Sequence, residues 1–209
     1  MEKTEQEKFW AGEFGTEYSD RNVGANILAS NLALFADIFK RVSKLSSVVE
    51  FGSNIGLNLK ALDLLYPGQA QSAVEINEVA AKKINDALPN TKVFNLSISD
   101  FEPGMLVDGP CDLALIKGVL IHINPEQLNM VYEKLYESSK RFILVCEYYN
   151  PKPDTVSYRG HADKLFRRDF AGELLDRYSD VNLVNYGFAY HRDPSFPQDD
   201  LTWFLLEKS

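Results

Sequence analysis

From Val48 to Tyr148 short apolar runs alternate with amphipathic stretches of helical period, and that alternation leaves few folds open. A strand that passes through a helix to the next strand closes as a parallel pair with a right-handed crossover, so a series of such units makes a parallel sheet with helices on both faces. The predicted strands are Val48–Phe51, Gln71–Ile76, Lys92–Leu96, Cys111–Lys117 and Arg141–Tyr148. Cys111–Lys117 is continuously apolar, as a strand covered on both faces must be. Between the strands lie helices over Leu57–Leu65, closed by the breaker Tyr66-Pro67-Gly68, and over Glu78–Ala87. A third begins at Asn124-Pro125-Glu126, where a cap, a proline and an acid fall in the order a helix start prefers, and runs to Ser139.

The flanks follow different patterns. Residues Asn26–Val42 space Ile27, Leu28, Leu32, Phe35, Ile38 and Phe39 by three and four, an amphipathic helix interrupted by Asn31. Ahead of it, Phe9–Asn22 mixes aromatics, glycine and charge. After the fifth strand a long connection, Tyr149–Arg168, leads to a helix over Asp169–Tyr178. The strands Val181–Tyr190 and Leu201–Glu207 have no helix between them, so the last must close the sheet antiparallel. The expected fold is a three-layer, Rossmann-like α/β domain, with a mostly parallel seven-stranded sheet and an antiparallel last strand. All 209 residues fit one domain, with residues 1–45 as a helical cap or lid on a core of residues 46–209.

Composition narrows the partners. A net charge of −8 repels polyphosphate backbones and argues against a nucleic-acid binder. The apolar stretch Ile27–Phe39, broken by Asn31 and Asp37, falls short of the roughly 20 residues a membrane span needs. The start, M-E-K-T-E-Q-E-K, lacks the apolar segment of a secretory signal. Cys111 and Cys146 have no partner at metal-binding or redox spacing and read as reduced core thiols. A cytoplasmic protein acting on a small molecule is the expectation; nothing in the sequence speaks to its oligomeric state.

Ligands of an open parallel sheet bind beyond the carboxyl ends of its strands, where the first crossovers diverge. There the sequence reads E-F-G-S-N-I-G, Glu50 to Gly56. Gly52 permits a turn and a close approach to a ligand, and Gly56 lets the next helix pack tightly. Glu75 ends the second strand about 20 residues further on, where an acid accepts hydrogen bonds from two ribose hydroxyls. Together they point to a cofactor with a nucleoside. A dinucleotide site wants G-x-G-x-x-G and amide donors for its pyrophosphate; here Glu50 brings a carboxylate, which suits a cation. S-adenosylmethionine carries an ammonium and a sulfonium and no phosphate, and is favoured over NAD.

These residues resemble those of the class I S-adenosylmethionine-dependent methyltransferases. More narrowly, F-W-A-G-E-F-G-T-E-Y-S-D-R-N, E-F-G-S-N-I-G-L-N-L-K-A-L, K-G-V-L-I-H-I-N-P, E-Y-Y-N-P, Y-R-G-H-A-D-K-L-F-R-R-D-F-A-G and H-R-D-P-S-F-P-Q-D-D-L-T-W-F-L-L-E-K together resemble the methylase associated with pseudaminic acid biosynthesis. The resemblance implies that Glu50, Gly52, Ser53, Asn54 and Gly56 frame the methionine moiety. It implies that Glu75 and Ile76 hold the ribose, that Ser97 and Ile98 flank the adenine, and that Lys117 and Gly118 close the pocket. It also implies a nonulosonic sugar or a precursor as acceptor. Two positions depart from the wider pattern. Asn54 replaces a central glycine, a change that asparagine's tolerance of left-handed backbone accommodates, and Ser97 replaces a common acid.

Methyl transfer to a hydroxyl requires positioning, exclusion of water and a base for the proton. The three histidines, His122, His161 and His191, follow the fourth, fifth and sixth strands and are the candidate bases. His122 sits in apolar V-L-I-H-I and is the one most suited to packing; none has metal-ligand spacing, so no metal is expected. Arg159 and Arg192 are candidates to fork an acceptor carboxylate, and Tyr149 and Tyr158 to line the acceptor site. Trp10, Tyr18 and Arg21 are candidates for a lid over it. Two other readings stay open at this point: an NAD or nucleotide-sugar enzyme on the same fold, and a non-catalytic S-adenosylmethionine-binding module.

Overall fold

The computed structural model describes residues 3–158 and 161–209, and of 157, 158 and 161–164 the backbone only. Three helices, α1 (Glu5–Ala11), α2 (Glu13–Arg21) and α3 (Ala25–Ile38), lead into the alternating core. There β1 (Ser47–Phe51), α4 (Leu57–Leu65), β2 (Ala70–Val74), α5 (Glu78–Ala87) and β3 (Lys92–Phe94) are followed by β4 (Cys111–Lys117), α6 (Leu128–Ser138) and β5 (Ser139–Glu147). A hairpin of β6 (Asp154–Tyr158) and β7 (His161–Arg167) then precedes α7 (Phe170–Arg177), β8 (Val181–Ala189) and β9 (Leu201–Lys208).

The main sheet has seven strands in the order β3-β2-β1-β4-β5-β9-β8. Strands β1 to β5 pair in parallel, and β9 runs antiparallel to both its neighbours. This is the doubly wound sheet with a reversed last strand that the alternation predicts. The order reverses at β1, whose neighbours are β2 and β4, so the two halves of the sheet diverge where the glycine loop leaves it.

Successive residues of a strand face opposite sides, and β1 shows both sides covered. Val49 and Phe51 pack with Ala114, Ile116, Ile143 and Val145 under the α6 and α7 residues Val131, Leu135 and Leu174. Val48 packs with Leu113, Leu115 and Leu144 against Phe35, Ile38, Leu59 and Leu62 of α3 and α4. Each such side chain stabilises the fold by roughly 1.5–3 kcal/mol relative to exposure. The sheet is therefore a rigid platform, and its loops carry what differs between such proteins.

Two segments depart from the sequence expectation. Tyr149–Arg168 is not a plain connection; it holds the β6–β7 hairpin, whose strands pair with each other outside the main sheet. Asn150-Pro151-Lys152-Pro153 and the charged residues beyond it hide the alternation that would have announced it. Asn124 caps a short 3₁₀ turn, Pro125–Gln127, through Glu126 N, and α6 proper starts one residue later. Among the described residues no helix is long and apolar enough to cross a membrane, and no three His, Cys, Asp or Glu side chains gather as a metal site.

Candidate active site

At the carboxyl edge of the sheet lies a cavity of about 360 Å³, within the size range of small-molecule sites. The glycine loop forms its floor. Gly52 takes φ 74°, and a Cβ there would come within 2.5 Å of Val119 Cγ2. Asn54 takes φ 48°, a left-handed conformation that asparagine tolerates better than other side-chain-bearing residues. Gly56 is left-handed as well, and a Cβ on it would press Leu88 Cδ1 at 3.1 Å, so its smallness serves packing against α5.

Glu75 ties this loop to the end of β2. Its Oε2 accepts the Asn54 amide at 2.7 Å and its Oε1 the Asn77 amide at 2.7 Å. Burial pushes its carboxyl up to about 7 against the opposing pull of those two amides. Beneath the loop Glu50 is buried, and burial pushes it up to about 8. Its Oε1 accepts from Asn58 Nδ2 at 2.6 Å, but Glu50 Oε2 and Asn58 Oδ1 both lack a hydrogen-bond partner. With Glu50 ionised, both are acceptors that call for a donor, and an ammonium group supplies three.

The loop after β4 is held from below by Glu147 at the end of β5. Its Oε1 accepts the amides of Val119 and Leu120, both at 2.9 Å, and burial pushes it up to about 7. That loop presents Lys117, Gly118 and His122 to the cavity, with the His122 ring 4.8 Å from the Trp10 ring.

Across the top, α1 and α2 are fastened by polar bonds. Asn77 Oδ1 caps α5 through Ala80 N at 3.1 Å, while its Nδ2 reaches the Gly12 carbonyl at 3.2 Å and Thr16 Oγ1 at 3.1 Å. Glu7 accepts from Ser99 Oγ, which in turn meets Ser97 Oγ at 2.7 Å. The Ser97–Phe101 loop is anchored by Lys134 of α6, whose buried ammonium donates to the carbonyls of Ser99 and Phe101. Replacing Lys134 with Met leaves those carbonyls unpaired. Thermal unfolding should then show a loss of about 2 kcal/mol, or about 4–8 °C in Tm; an unchanged Tm would show the anchor to be dispensable.

Of the sequence-predicted cofactor residues, Gly52, Ser53, Asn54, Glu75, Ile76, Ser97, Ile98, Lys117 and Gly118 line the cavity, with Glu50 and Gly56 directly behind the loop. Trp10, Tyr18 and His122 also line it. The structure does not bring the others to it. His191 follows β8 at the carboxyl edge, but it points outward and its Nδ1 lies 2.8 Å from Asp200. Arg192 is exposed beside it, because only Pro197, Gln198 and Asp199 of that connection turn in toward the cavity. Arg21 is exposed, its guanidinium 5.9 Å from the Phe14 ring centroid, and Tyr149 lines a separate hollow with Arg167 and Phe188. Arg159 and the side chains of Tyr158 and His161 lie outside the described residues. Sequence reasoning missed Asn77, Lys134 and Glu147, whose partners lie far along the chain, and Asn58, whose partner Glu50 is 8 residues away across the glycine loop.

No protein-family model matches this chain, and no curated protein matches it in sequence. Solved structures match it in shape. Mitomycin 7-O-methyltransferase superposes with a TM-score of 0.70 at 12% identity, over 99% of this chain and 61% of that enzyme, so the chain spans less than two thirds of it. The magnesium protoporphyrin IX methyltransferase of Synechocystis PCC 6803, solved with bound S-adenosylmethionine, matches over the full length of both chains at TM-score 0.66 and 9% identity. The 1,6-didemethyltoxoflavin-N1-methyltransferase of Burkholderia thailandensis, solved with S-adenosylhomocysteine, matches at TM-score 0.68 and 13% identity, over 94% of this chain and 85% of that one. The fold is thus the one class I S-adenosylmethionine-dependent methyltransferases use.

Proposed function

We propose that this chain is an S-adenosylmethionine-dependent methyltransferase acting on a small polar acceptor. The observation that carries the reading is the pair of carboxyls flanking the glycine loop, with Glu50 Oε2 and Asn58 Oδ1 left without donors beneath it. That arrangement fits a cationic ligand and opposes a pyrophosphate.

In this reading Glu50 and Asn58 take the ammonium end, Glu75 accepts from the ribose hydroxyls, and Ser97 and Ile98 flank the base. The cofactor supplies an electrophilic methyl group on a cationic sulfur. The chain positions the acceptor, and Trp10 and Tyr18 exclude water, with residues 1–45 as a cap on the core. His122 takes the acceptor's hydroxyl proton on a ring nitrogen; of the histidines, it is the one whose described side chain lines the cavity. Its ring stands at the cavity wall, 4.8 Å from the Trp10 ring. The narrow sequence resemblance adds a nonulosonic sugar or a precursor of one as the acceptor.

Calorimetric titration with S-adenosylmethionine and with NAD in parallel tests the cofactor. Binding of the first alone is the expected result, and binding of NAD alone would overturn the proposal. For the base, His122→Ala should lower kcat about 10²-fold while leaving S-adenosylhomocysteine affinity within about twofold. Equal turnover would remove His122 from that role.

A further inference from the structure

One stretch of the cavity wall takes no part in the reading above. Helix α3 is apolar along Ile27, Leu28, Leu32, Leu34 and Phe35, yet Ser30 and Asn31 interrupt it, and both line the cavity. They are 5% and 3% exposed, a degree of burial at which polar groups are nearly always hydrogen-bonded.

Part of that requirement is met within the chain. Asn31 Oδ1 accepts from Gln198 Nε2 at 3.1 Å, and Gln198 is fixed in turn by its amide bond to the Tyr190 carbonyl at 3.2 Å. Among the described residues nothing accepts from Asn31 Nδ2, and the Ser30 hydroxyl has no side-chain or backbone partner. Both groups face a ligand cavity with hydrogen-bonding capacity to spare.

The charge around them restricts what that ligand is. Glu7, Glu75 and Asp199 line the cavity; among the described residues Lys117 is the Lys or Arg side chain that does, and its charge acts on the buried Glu50 and Glu147. Among the described residues, a carboxylate entering beside Ser30 and Asn31 meets acids and no cation besides Lys117. Amide and hydroxyl groups instead match sugar hydroxyls, each of which donates and accepts.

We infer that Ser30, Asn31 and Gln198 form the acceptor-recognition wall, and that they read an uncharged, hydroxyl-bearing part of a sugar. This rests on the methyltransferase reading for the identity of the ligand as acceptor. It restricts the acceptor to a sugar that is neutral where it meets this wall, such as a precursor stage that carries no carboxylate.

The test uses the full chain saturated with S-adenosylhomocysteine, titrated with N-acetylneuraminic acid and with its neutral methyl ester. The ester should bind at least tenfold more tightly than the acid. Asn31→Leu and the partly exposed Gln198→Ala should each weaken ester binding about tenfold, with S-adenosylhomocysteine affinity within twofold. Gln198→Ala removes a loop side chain and keeps the test decisive if Asn31→Leu fails to fold. Acid binding as tight as the ester, ester binding unmoved by Gln198→Ala, or no binding of either sugar to the cofactor-loaded protein would overturn the inference. Failure of the unaltered protein to bind S-adenosylhomocysteine would instead overturn the methyltransferase reading.

Discussion

Glu75→Ala should weaken S-adenosylmethionine binding by roughly 10²–10³-fold while leaving the protein folded. The residue follows β2 outside the sheet ladder, so no core contact is lost with it. What disappears is the acceptor that receives the Asn54 and Asn77 amides, both at 2.7 Å. Hydrogen bonds to a charged group contribute about 1.5–3 kcal/mol each. Without the carboxylate, Asn54 has no reason to hold φ 48°, a conformation that costs a non-glycine residue free energy. Asn77 also loses the bond that orients it toward α1 and α2. The proposed ribose acceptor, the floor of the loop and the fastening of α1 and α2 are thus lost together. Calorimetry on Glu75→Ala and Glu75→Gln measures the effect; an unchanged Kd in a folded Glu75→Ala protein would end the proposed ribose role.

What the sequence makes legible is what local periodicity encodes. Val48–Phe51 handing over to Gly52 and then to Leu57–Leu65 shows a strand, a turn and a helix with no knowledge of the rest of the chain. Repetition of that unit is enough to define the sheet. Asn54 could be read the same way, since a left-handed requirement is a property of one residue. The β6–β7 hairpin is not legible, because Pro151, Pro153 and the charged residues beyond them break up the alternation around Val156 and Leu165, which pack into the core. The cavity's polar network was illegible for another reason. Asn77 meets the Gly12 carbonyl 65 positions away, and Gln198 meets Asn31 across 167. Such pairs depend on which loops the finished sheet gathers at one edge. His191 shows the limit from the other side: the strand order placed it at the correct edge, but only the path of the β8–β9 connection turned it outward.

Stability of the ligand-free protein should fall as pH rises from about 5 to 8, the reverse of the usual acid-denaturation trend. Burial pushes Glu50 up to about 8, and Glu75 and Glu147 up to about 7 each, from an ordinary 4.5. Between those values the folded chain holds protons that the unfolded chain has released, so stability decreases with pH by about 1.4 kcal/mol per unit for each such proton. The loss begins above 4.5 and is complete once pH passes the folded-state values. The pull of the amides and the lysine is already contained in those values, so several kcal/mol are lost between pH 5.5 and 8.5, which corresponds to a fall in Tm on the order of 15 °C or more. Glu50→Gln should flatten part of that slope, since the amide keeps an acceptor for Asn58 and offers a donor in place of the unpaired Oε2. A cationic ligand favours the ionised carboxylate, so the Tm gain from S-adenosylmethionine should be larger at pH 7.5 than at pH 5.5. Scanning calorimetry across that range decides the matter. A ligand-free Tm that climbs with pH would show these carboxyls to be charged in the folded protein before any ligand binds, and would overturn the burial-driven protonation of Glu50, Glu75 and Glu147 together with the expected growth of the ligand's Tm gain with pH.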